Sequence, residues 1–402
     1  MYLRKGVELL ERIGIYGGAF NPLHTGHLGA AKYALSALKL DRLLMIPTGD
    51  PPHKTLPADS PTPAQRLEML RLAVKDEPKI SVSDIELSRD GISYTVDTLA
   101  QLRKMYPDSE FVLLMGTDMF LSFSHWREPE CIMESAALGV FCRGYTGEKE
   151  QLLGQKEVLQ AMGAQVTMLE NPVTEISSTQ LRRMLVFRCA KPFLPEGVAD
   201  YIQTHGLYGT GRNLRGLSME ELESVVISLL KPDRVRHVLG CRDTSMELAR
   251  RWGASETDAA RAGLLHDITK ALDGPLQLTL CAEYGIILDK FSAKNPKTLH
   301  ALTGSLVAER IFGENPAVVA AIRSHTTGKR DMNMLEKIIY VADYMEPNRD
   351  FPGVDRLRDL AYTDMDGALR LGLTMTLEML KEQGREISPE SKEALAYLDK
   401  RT

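Results

Sequence analysis

A glycine-rich turn between a strand-like run and a helical pattern is the feature that most constrains how this chain folds. The turn reads GGAFNPLHTGH over residues 17–27, after an apolar run at 13–16. Glycine lets the backbone approach a ligand closely, and a helix N-terminus offers N–H groups and the positive end of the helix dipole. His24 and His27 add donors that gain charge near neutral pH. The stretch therefore predicts a phosphate site, although it lacks the Gly-Lys-Ser/Thr of a P-loop and the GxGxxG of a dinucleotide fingerprint.

Strand-like segments alternate with helical patterns through the first half of the chain. The strand-like segments are 12–16, 42–46, 110–115, 138–142 and 165–169, and the helical patterns between them are 27–39, 63–75 and 95–106. This alternation predicts an α/β domain with a doubly wound, Rossmann-like parallel sheet that binds ligands at the carboxyl ends of its strands.

The second half of the chain does not show this alternation of strands and helices. A Gly- and Arg-rich stretch at 209–216 lacks periodicity and is typical of a linker. After it, helical patterns follow one another without a convincing strand, at 219–230, 234–253, 256–271, 299–313, 316–325, 334–345, 363–382 and 388–399. We therefore predict an α/β domain over 1–209, a linker over 210–217 and an all-α domain over 218–402.

Composition excludes several classes of protein. Lys and Arg number 49 against 54 Asp and Glu, a net charge of -5, which argues against a nucleic-acid-coating or strongly basic membrane-surface protein. No apolar run approaches a membrane span, and the first fourteen residues lack a signal-peptide core. The five cysteines form no CxxC pair, which is typical of reduced thiols. We predict a cytoplasmic enzyme without nucleic-acid or membrane partners, and a homo-oligomer is compatible with these features.

The turn at 17–27 resembles the (H/T)xGH signature of the nucleotidylyltransferase superfamily, and within it the bacterial nicotinate-mononucleotide adenylyltransferases. Further matching stretches are PPHK at 51–54, SYTVDTL at 93–99, MGTD at 115–118 and ISSTQLR at 176–182. The resemblance implies transfer of an adenylyl group from ATP, its polyphosphate bridged by Mg²⁺, to nicotinate mononucleotide in NAD biosynthesis. The products would be nicotinate adenine dinucleotide and pyrophosphate.

The same resemblance assigns roles to residues. ATP binding is implied for Gly17, Gly18, Phe20, His24, His27, Ser178, Thr179 and Arg182. Of these, His24, His27 and Arg182 would be catalytic, with His27 on the developing charge and Arg182 on the β/γ oxygens. Substrate binding is implied for His53, Lys54, Thr95, Asp118 and Trp126. Thr95 also fits a helix cap, and Trp126 also fits a core residue.

In the second half of the chain, histidines and neighbouring carboxylates indicate a functional site. His266 and Asp267 are adjacent in the apolar helical pattern at 262–270, and Asp343 lies in an apolar run. A dry helix carries such groups only when they are paired or bound to metal. From the linker onward the histidines are His237, His266, His300 and His325. Four imidazoles and two carboxylates can hold two metal ions, and mixed N/O ligation suits Fe, Mn or Zn.

The stretches 234–249, 262–270, 299–313, 320–332 and 336–358 resemble the HD-domain metal-dependent phosphohydrolases. They are most similar to bacterial enzymes that split diadenosine tetraphosphate symmetrically into two ADP. The resemblance implies a di-iron centre, catalytic Asp267, and the ligands His237, His266, Asp267, His300, His325 and Asp343. Lys270, Arg323, Lys329 and Arg349 are candidate phosphate contacts, and each of them also fits a solvated surface charge. Val238 stands where this subfamily often has serine, which leaves the substrate open.

We therefore predict a bifunctional enzyme, a transferase and a hydrolase, whose substrates are ATP, nicotinate mononucleotide and a dinucleoside polyphosphate. An alternative for the first half is adenylylation of phosphopantetheine or another mononucleotide, although PPHK and Trp126 argue against it. Alternatives for the second half are a nucleotide-binding regulatory module and cleavage of another nucleotide, such as a guanosine polyphosphate or a simple nucleoside monophosphate. The preference for nicotinate over nicotinamide and the native metal stay open.

Overall fold

The computed structural model describes residues 10–51, 55–89, 91–142, 144, 147–172 and 176–400. The chain divides into two compact units, Met1–Gly211 and Arg212–Thr402, called here the N-terminal unit and the C-terminal unit. The division falls inside the segment predicted as a linker. Among the described helices, none combines the length and the apolar character that crossing a membrane requires.

Within its described ranges, the N-terminal unit is built on a six-stranded parallel sheet. The strands are β1 Arg12–Gly18, β2 Arg42–Pro47, β3 Ile80–Val82, β4 Glu110–Gly116, β5 Ala137–Phe141 and β6 Val166–Leu169. Their spatial order is β3-β2-β1-β4-β5-β6. The order reverses between β1 and β4, and such a switch point opens a crevice at the carboxyl ends of the strands. Tyr16 pairs with Leu114 in the register of these two strands, so the glycines ending both strands lie side by side.

Helices connect the strands and also follow the last strand, β6. They are α1 Thr25–Ala37, α2 Pro63–Val74, α3 Thr95–Met105, α4 Thr117–Leu121, α5 Pro129–Ser135, α6 Glu148–Ala161, α7 Ser178–Val186 and α8 Val198–Thr204. One buried apolar cluster joins the sheet to α3, α5 and α6, and it includes Ile15, Leu99, Leu113, Ile132 and Leu152.

The predicted doubly wound sheet is confirmed, and two local expectations need correction. Strand β3 was not predicted, because three residues are too few to display an alternating pattern. Helix α1 begins at Thr25, two residues before the expected start, because His24 forms a capping box with His27.

The C-terminal unit is helical, as predicted, and no strand occurs in residues 212–400. Its helices are α9 Met219–Leu229, α10 Val235–Trp252, α11 Glu256–Leu265, α12 Gly274–Glu283, α13 Lys290–Lys294, α14 Leu299–Val307, α15 Pro316–Ser324, α16 Met334–Met345, α17 Val354–Thr363, α18 Met365–Glu382 and α19 Pro389–Asp399. A π-helical turn, Ala308–Phe312, extends α14. Helices α12, α13 and α17 were not predicted, although Val354, Leu357 and Ala361 bury one face of α17.

The helix expected over 256–271 is shorter than the sequence pattern indicates. Helix α11 ends at Leu265, so His266 is its C-cap and Asp267 lies beyond it, not on it. A glycine sets how closely α11 approaches α10. A Cβ on Gly263 would lie 2.8 Å from the Cα of Arg242, nearer than Cβ atoms come to other heavy atoms in real structures. The absence of a side chain at position 263 therefore allows the two helices to pack.

Candidate active sites

The turn between β1 and α1 places the two predicted catalytic histidines against each other. The backbone N–H of His24 donates to Nδ1 of His27 at 3.3 Å, and the two ring centroids are 3.7 Å apart. Phe20, at φ 42°, stands edge-on to His27 with the centroids 5.3 Å apart. Both imidazoles therefore lie at the N-terminus of α1, where N–H groups and the helix dipole favour an anion.

The start of α7 is bonded to the same turn. Arg182 donates from Nη1 to the carbonyl of Asn21 at 2.7 Å and from Nη2 to Oγ1 of Thr179 at 3.1 Å. Ser178 donates from Oγ to the carbonyl of Pro22 at 3.0 Å. Burial lowers the pKa of Arg182, although a guanidinium stays charged in proteins. The structure thus brings together two motifs that are more than 150 residues apart in the chain.

Arg66 of α2 is a residue that the sequence analysis missed. It is 1 % exposed, and it donates to the carbonyl of Ala19 at 2.7 Å and to the carbonyl of Gly49 at 3.2 Å. A buried guanidinium thereby joins the loop after β1 to the loop after β2. The sequence signal that could have revealed Arg66 is its position on the same face of α2 as the apolar residues Met69, Leu70 and Ala73.

A cavity of about 310 Å³ opens at the carboxyl ends of β1 and β4. Four predicted site residues line it, namely Gly17, Gly18, Thr95 and Trp126. Trp126 also packs against the apolar core, so its two interpretations are compatible. The sequence analysis missed Glu86 and Arg127, which line the same cavity.

These missed residues add ionisable groups to the cavity wall. The guanidinium of Arg127 lies 4.8 Å from the ring centroid of Tyr94, and burial raises the pKa of Glu86. Among the predicted substrate residues, Asp118 is an exposed residue of α4 and is not one of the lining residues. His53 and Lys54 lie outside the described residues.

The second candidate site is a buried cluster of histidines and carboxylates in the C-terminal unit. Asp267 is 1 % exposed and lies at its centre. Oδ2 of Asp267 is 3.6 Å from Nε2 of His266 and 3.8 Å from Nε2 of His237. Oδ1 is 3.5 Å from Nε2 of His300 and 3.8 Å from Nε2 of His325. All four imidazoles therefore direct Nε2 toward one carboxylate.

The other ring nitrogen of each imidazole has a partner outside the cluster. Nδ1 of His266, His300 and His325 contacts the carbonyl of the residue three positions earlier, at 2.7, 2.9 and 2.6 Å. Since a carbonyl only accepts, Nδ1 carries the proton and Nε2 keeps a lone pair. Nδ1 of His237 lies 3.1 Å from Oε1 of Glu346, a buried carboxylate that the sequence analysis missed. Such outer contacts orient metal-binding histidines.

Electrostatics favour the ligand forms of these groups. Burial lowers the pKa of His266 and His300 well below the usual value and that of His325 to about 4. These three imidazoles are therefore neutral at physiological pH, as metal binding requires. Burial would raise the pKa of Asp343, but the neighbouring side chains of His237, His266 and Arg349 hold it well below its usual range.

Cations surround the cluster. Arg234, another residue that was missed, pairs with Oδ2 of Asp267, and Arg349 reaches Oδ1 of Asp343 at 2.7 Å. Nζ of Lys270 lies 2.8 Å from Nε2 of His300. The structure thus brings two predicted phosphate contacts, Lys270 and Arg349, to the cluster. The other two differ, because Lys329 pairs with buried Glu336 at 2.5 Å and Arg323 is an exposed residue of α15.

The predicted ligands form two overlapping groups whose ligand atoms lie within 4.8 Å of one another. One group is His237, His266 and Asp343, and the other is His266, Asp267 and His325. His300 is joined to them through Asp267. Inward lone pairs, buried carboxylates and fixed ring orientations fit divalent metal ions bound by N and O ligands.

Comparison with protein families gives the class of each unit. Residues 15–184 match the cytidylyltransferase-like family, and residues 234–348 match the HD domain. The fold and the paired motifs thus define a nucleotidyltransferase, which is followed in the chain by an HD domain with a buried cluster suited to metal. Through its N-terminal half, the chain belongs to the nicotinate-nucleotide adenylyltransferase family.

That membership rests on curated relatives. A "Probable nicotinate-nucleotide adenylyltransferase" of Lachnoclostridium phytofermentans is 36% identical over 200 residues, which are 50% of this chain and 100% of the relative. A protein of the same name from Thermus thermophilus is 40% identical over 201 residues, 49% of this chain and 99% of the relative.

A solved structure is similar to the other half. It is a "predicted HD superfamily hydrolase involved in NAD metabolism" from Clostridium acetobutylicum, 35% identical to this chain with a TM-score of 0.45. The match covers 46% of this chain and 99% of that one.

Proposed function

We propose that the N-terminal unit transfers the adenylyl group of ATP to nicotinate mononucleotide, giving nicotinate adenine dinucleotide and pyrophosphate. The observation that carries this proposal is the meeting of the two phosphate motifs, where Arg182 of α7 bonds to the turn that precedes α1. The adjoining cavity, lined by Thr95 and Trp126, has room for a flat ring and its ribose. Membership in the adenylyltransferase family supports the choice of acceptor.

The reaction needs positioning and charge, not a covalent intermediate. The mononucleotide phosphate attacks the α-phosphate of MgATP in line, and pyrophosphate leaves. His24, His27 and the first N–H groups of α1 would bind the phosphates of ATP, with His27 on the charge that develops in the transition state. Arg182, already held by Asn21 and Thr179, would bind the β/γ oxygens.

The acceptor would occupy the cavity. Its pyridine ring would stack on Trp126, and its carboxylate would face the N-terminus of α3, which begins at Thr95. We also propose contacts from Asp118, His53 and Lys54 on the basis of their motifs.

The test is product analysis with ATP and a panel of acceptors: nicotinate mononucleotide, nicotinamide mononucleotide and phosphopantetheine. We expect nicotinate adenine dinucleotide, and we expect His27→Ala to abolish its formation. His205→Ala is the control, because His205 is an exposed histidine whose ring contacts only the Tyr201 carbonyl and ring in the described structure. Turnover of phosphopantetheine without turnover of nicotinate mononucleotide would overturn the proposal.

For the C-terminal unit we propose a metal-dependent phosphohydrolase that splits diadenosine tetraphosphate symmetrically into two ADP. The convergence of four Nε2 atoms on Asp267 carries this proposal. His237, His266, Asp267, His300, His325 and Asp343 would hold two ions, which we propose to be iron, with Mn or Zn as alternatives. Ions held there supply Lewis acidity at phosphoryl oxygens. Arg234, Lys270 and Arg349 add positive charge that would bind and orient the polyphosphate.

Metal analysis and hydrolysis assays test this half of the proposal. We expect purified protein to contain bound metal and to form ADP alone from diadenosine tetraphosphate. Asp267→Ala should lose hydrolysis and keep adenylyl transfer, whereas His27→Ala should do the reverse. A protein that binds nucleotides but no metal and cleaves nothing would instead be a regulatory module. Preferred cleavage of a guanosine polyphosphate would overturn the substrate assignment.

A further inference from the structure

A cavity of about 730 Å³ lies directly beside the histidine cluster, within the C-terminal unit. Its inner end is formed by Asp343, which belongs to the cluster, and by Arg349, which reaches Oδ1 of Asp343 at 2.7 Å. A phosphate bound at the cluster would therefore extend whatever is esterified to it into this cavity. The volume is in the range of sites that bind small organic ligands.

Two aromatic rings form one wall. Tyr344 stacks parallel to Tyr340, with centroids 6.2 Å apart and an interplanar angle of 4°, and its hydroxyl accepts from Oγ1 of Thr376 at 2.8 Å. Phe351 stands edge-on to Tyr344, with centroids 5.4 Å apart. The position of Tyr344 is thus fixed by packing and by a hydrogen bond.

The loop that carries Arg349 and Phe351 is held by one side chain of α17. Arg358 donates to the carbonyls of Met345, Glu346 and Arg349 at 3.0, 3.3 and 2.8 Å. The cationic end and the aromatic wall of the cavity are therefore organised by the protein itself, which reduces the entropic cost of ligand binding.

The opposite wall is one face of α18. Met375, Glu378, Met379 and Glu382 all line the cavity, and their spacing of three, four and seven residues places them on the same side of the helix. Methionine side chains adapt to a flat ring, and carboxylates accept hydrogen bonds from amino and hydroxyl groups. This wall therefore suits a ligand that is apolar on its faces and carries donors at its edge.

We propose that this cavity is the nucleoside site of the phosphohydrolase and that it selects purines bearing an amino group. The inference rests on the proposed hydrolysis of a dinucleoside polyphosphate. The base would lie against Phe351 and the methionines, with its amino group donating to Glu378 and Glu382. Uracil has no exocyclic amino group, and the carbonyl oxygens on either side of its N3–H would be repelled by carboxylates.

The first test uses the full-length protein with its metal and the variant Phe351→Leu. We expect the KM for diadenosine tetraphosphate to rise about tenfold, because stacking of a base on an aromatic ring contributes about one order of magnitude in affinity. Cleavage of inorganic tripolyphosphate, which has no nucleoside, and metal content should not change. An unchanged KM, or an equal loss with tripolyphosphate, would overturn the proposal.

The second test uses the double variant Glu378→Gln and Glu382→Gln, whose sites are exposed and whose folding is therefore not threatened. We expect the preference for diadenosine over diuridine tetraphosphate to fall about tenfold, the value of one charge-assisted hydrogen bond. Glu393→Gln, an exposed carboxylate of α19, is the control and should keep the preference. Retention of the full preference by the double variant would contradict the assignment of the two carboxylates.

Binding without turnover separates this inference from the proposed hydrolysis. Calorimetry with α,β-methylene-ADP should show weaker affinity for Phe351→Leu than for the wild type. If the wild type cleaves no polyphosphate, the hydrolase proposal fails, whereas a Phe351-dependent affinity would still support the nucleoside site. Equal affinities of the two proteins would overturn the site itself.

Discussion

Nδ1 of His237 lies 3.1 Å from Oε1 of Glu346, and these two residues are 109 positions apart in the chain. Oε2 of the same carboxylate accepts from the backbone N–H and from Nδ2 of Asn348, both at 2.8 Å. Glu346 is 1 % exposed, so its charge is kept inside the protein by these partners. The pair fixes the direction in which the first histidine of the cluster presents Nε2.

Removing this charge should weaken metal binding without removing a ligand. We expect Glu346→Gln to lower the affinity of the C-terminal unit for metal by about 10- to 100-fold, as is usual for the outer partner of a ligand histidine. The measurement is a competition titration with a chromophoric chelator. Glu283→Gln, at an exposed position at the end of α12, should leave the affinity unchanged. Equal affinities of wild type and Glu346→Gln would show that Glu346 has no orienting role.

Gly263→Ala should separate α10 from α11. The new Cβ would lie 2.8 Å from Cα and 3.1 Å from the backbone N of Arg242, and neither atom can move away alone. We expect the free energy of unfolding of the C-terminal unit to fall by about 1–3 kcal/mol, the usual cost of overpacking. Chemical denaturation followed by circular dichroism measures it.

Gly154→Ala, in the N-terminal unit, is the control for a glycine-to-alanine change within a helix that causes no clash. Gly154 lies inside α6, and a Cβ there would meet no atom within 4 Å. We expect stability to be unchanged or raised by up to about 1 kcal/mol, because alanine favours helix over glycine. A Gly263→Ala protein as stable as this control would contradict the close approach of the two helices.

Arg66→Met should impair adenylyl transfer while leaving hydrolysis intact. The substitution keeps much of the volume but removes the bonds to the carbonyls of Ala19 and Gly49, so the two loops lose their common anchor. A displacement of about 1 Å in a catalytic loop can cost about 10²-fold in rate, and we expect a loss of that order in kcat/KM. Arg71→Met, at an exposed position on the same helix, should have near-normal kinetics. Equal rates of both variants would exclude a positioning role for Arg66.

Removal of metal by a chelator should destabilise the C-terminal unit and leave adenylyl transfer by the N-terminal unit intact. An ion that binds only the folded state stabilises it by about 2.7 kcal/mol at a hundredfold excess over Kd. We therefore expect EDTA dialysis to lower the Tm of one transition in scanning calorimetry, and Fe²⁺ or Mn²⁺ to restore it. Adenylyl transfer, assayed after Mg²⁺ is added back, should be unaffected. A Tm that does not respond to EDTA or to added metal would argue against a metal centre.

Sites whose motifs combine a local pattern with distinctive residue types could be predicted from the sequence alone. The turn at 17–27 and the alternation around it predict the sheet, and the buried histidine positions predict the cluster of the C-terminal unit. The structure shows these residues converging, yet their roles in ATP and metal binding stay predictions. The ends of the helices were harder to predict. The apolar pattern of α11 continues past Leu265, where the helix itself ends.

Contacts between residues that are far apart in the sequence could not be predicted. Arg66, Arg234 and Glu346 appear in the sequence as ordinary charges on helices or at their ends. Their importance arises only when folding brings them against the Ala19 carbonyl, Asp267 and His237. Strand β3 was missed for the opposite reason, because three residues carry too little pattern although pairing with β2 stabilises them.

Gly263 performs two tasks that no other residue type could combine at this position. Its missing side chain admits the backbone of Arg242, and its carbonyl accepts from Nδ1 of His266. The spacing of α10 and α11 and the direction of the His266 ring thus both depend on this one residue. A substitution that shifts this backbone would disturb both at once, so any redesign of this centre for a different ion should begin at another residue.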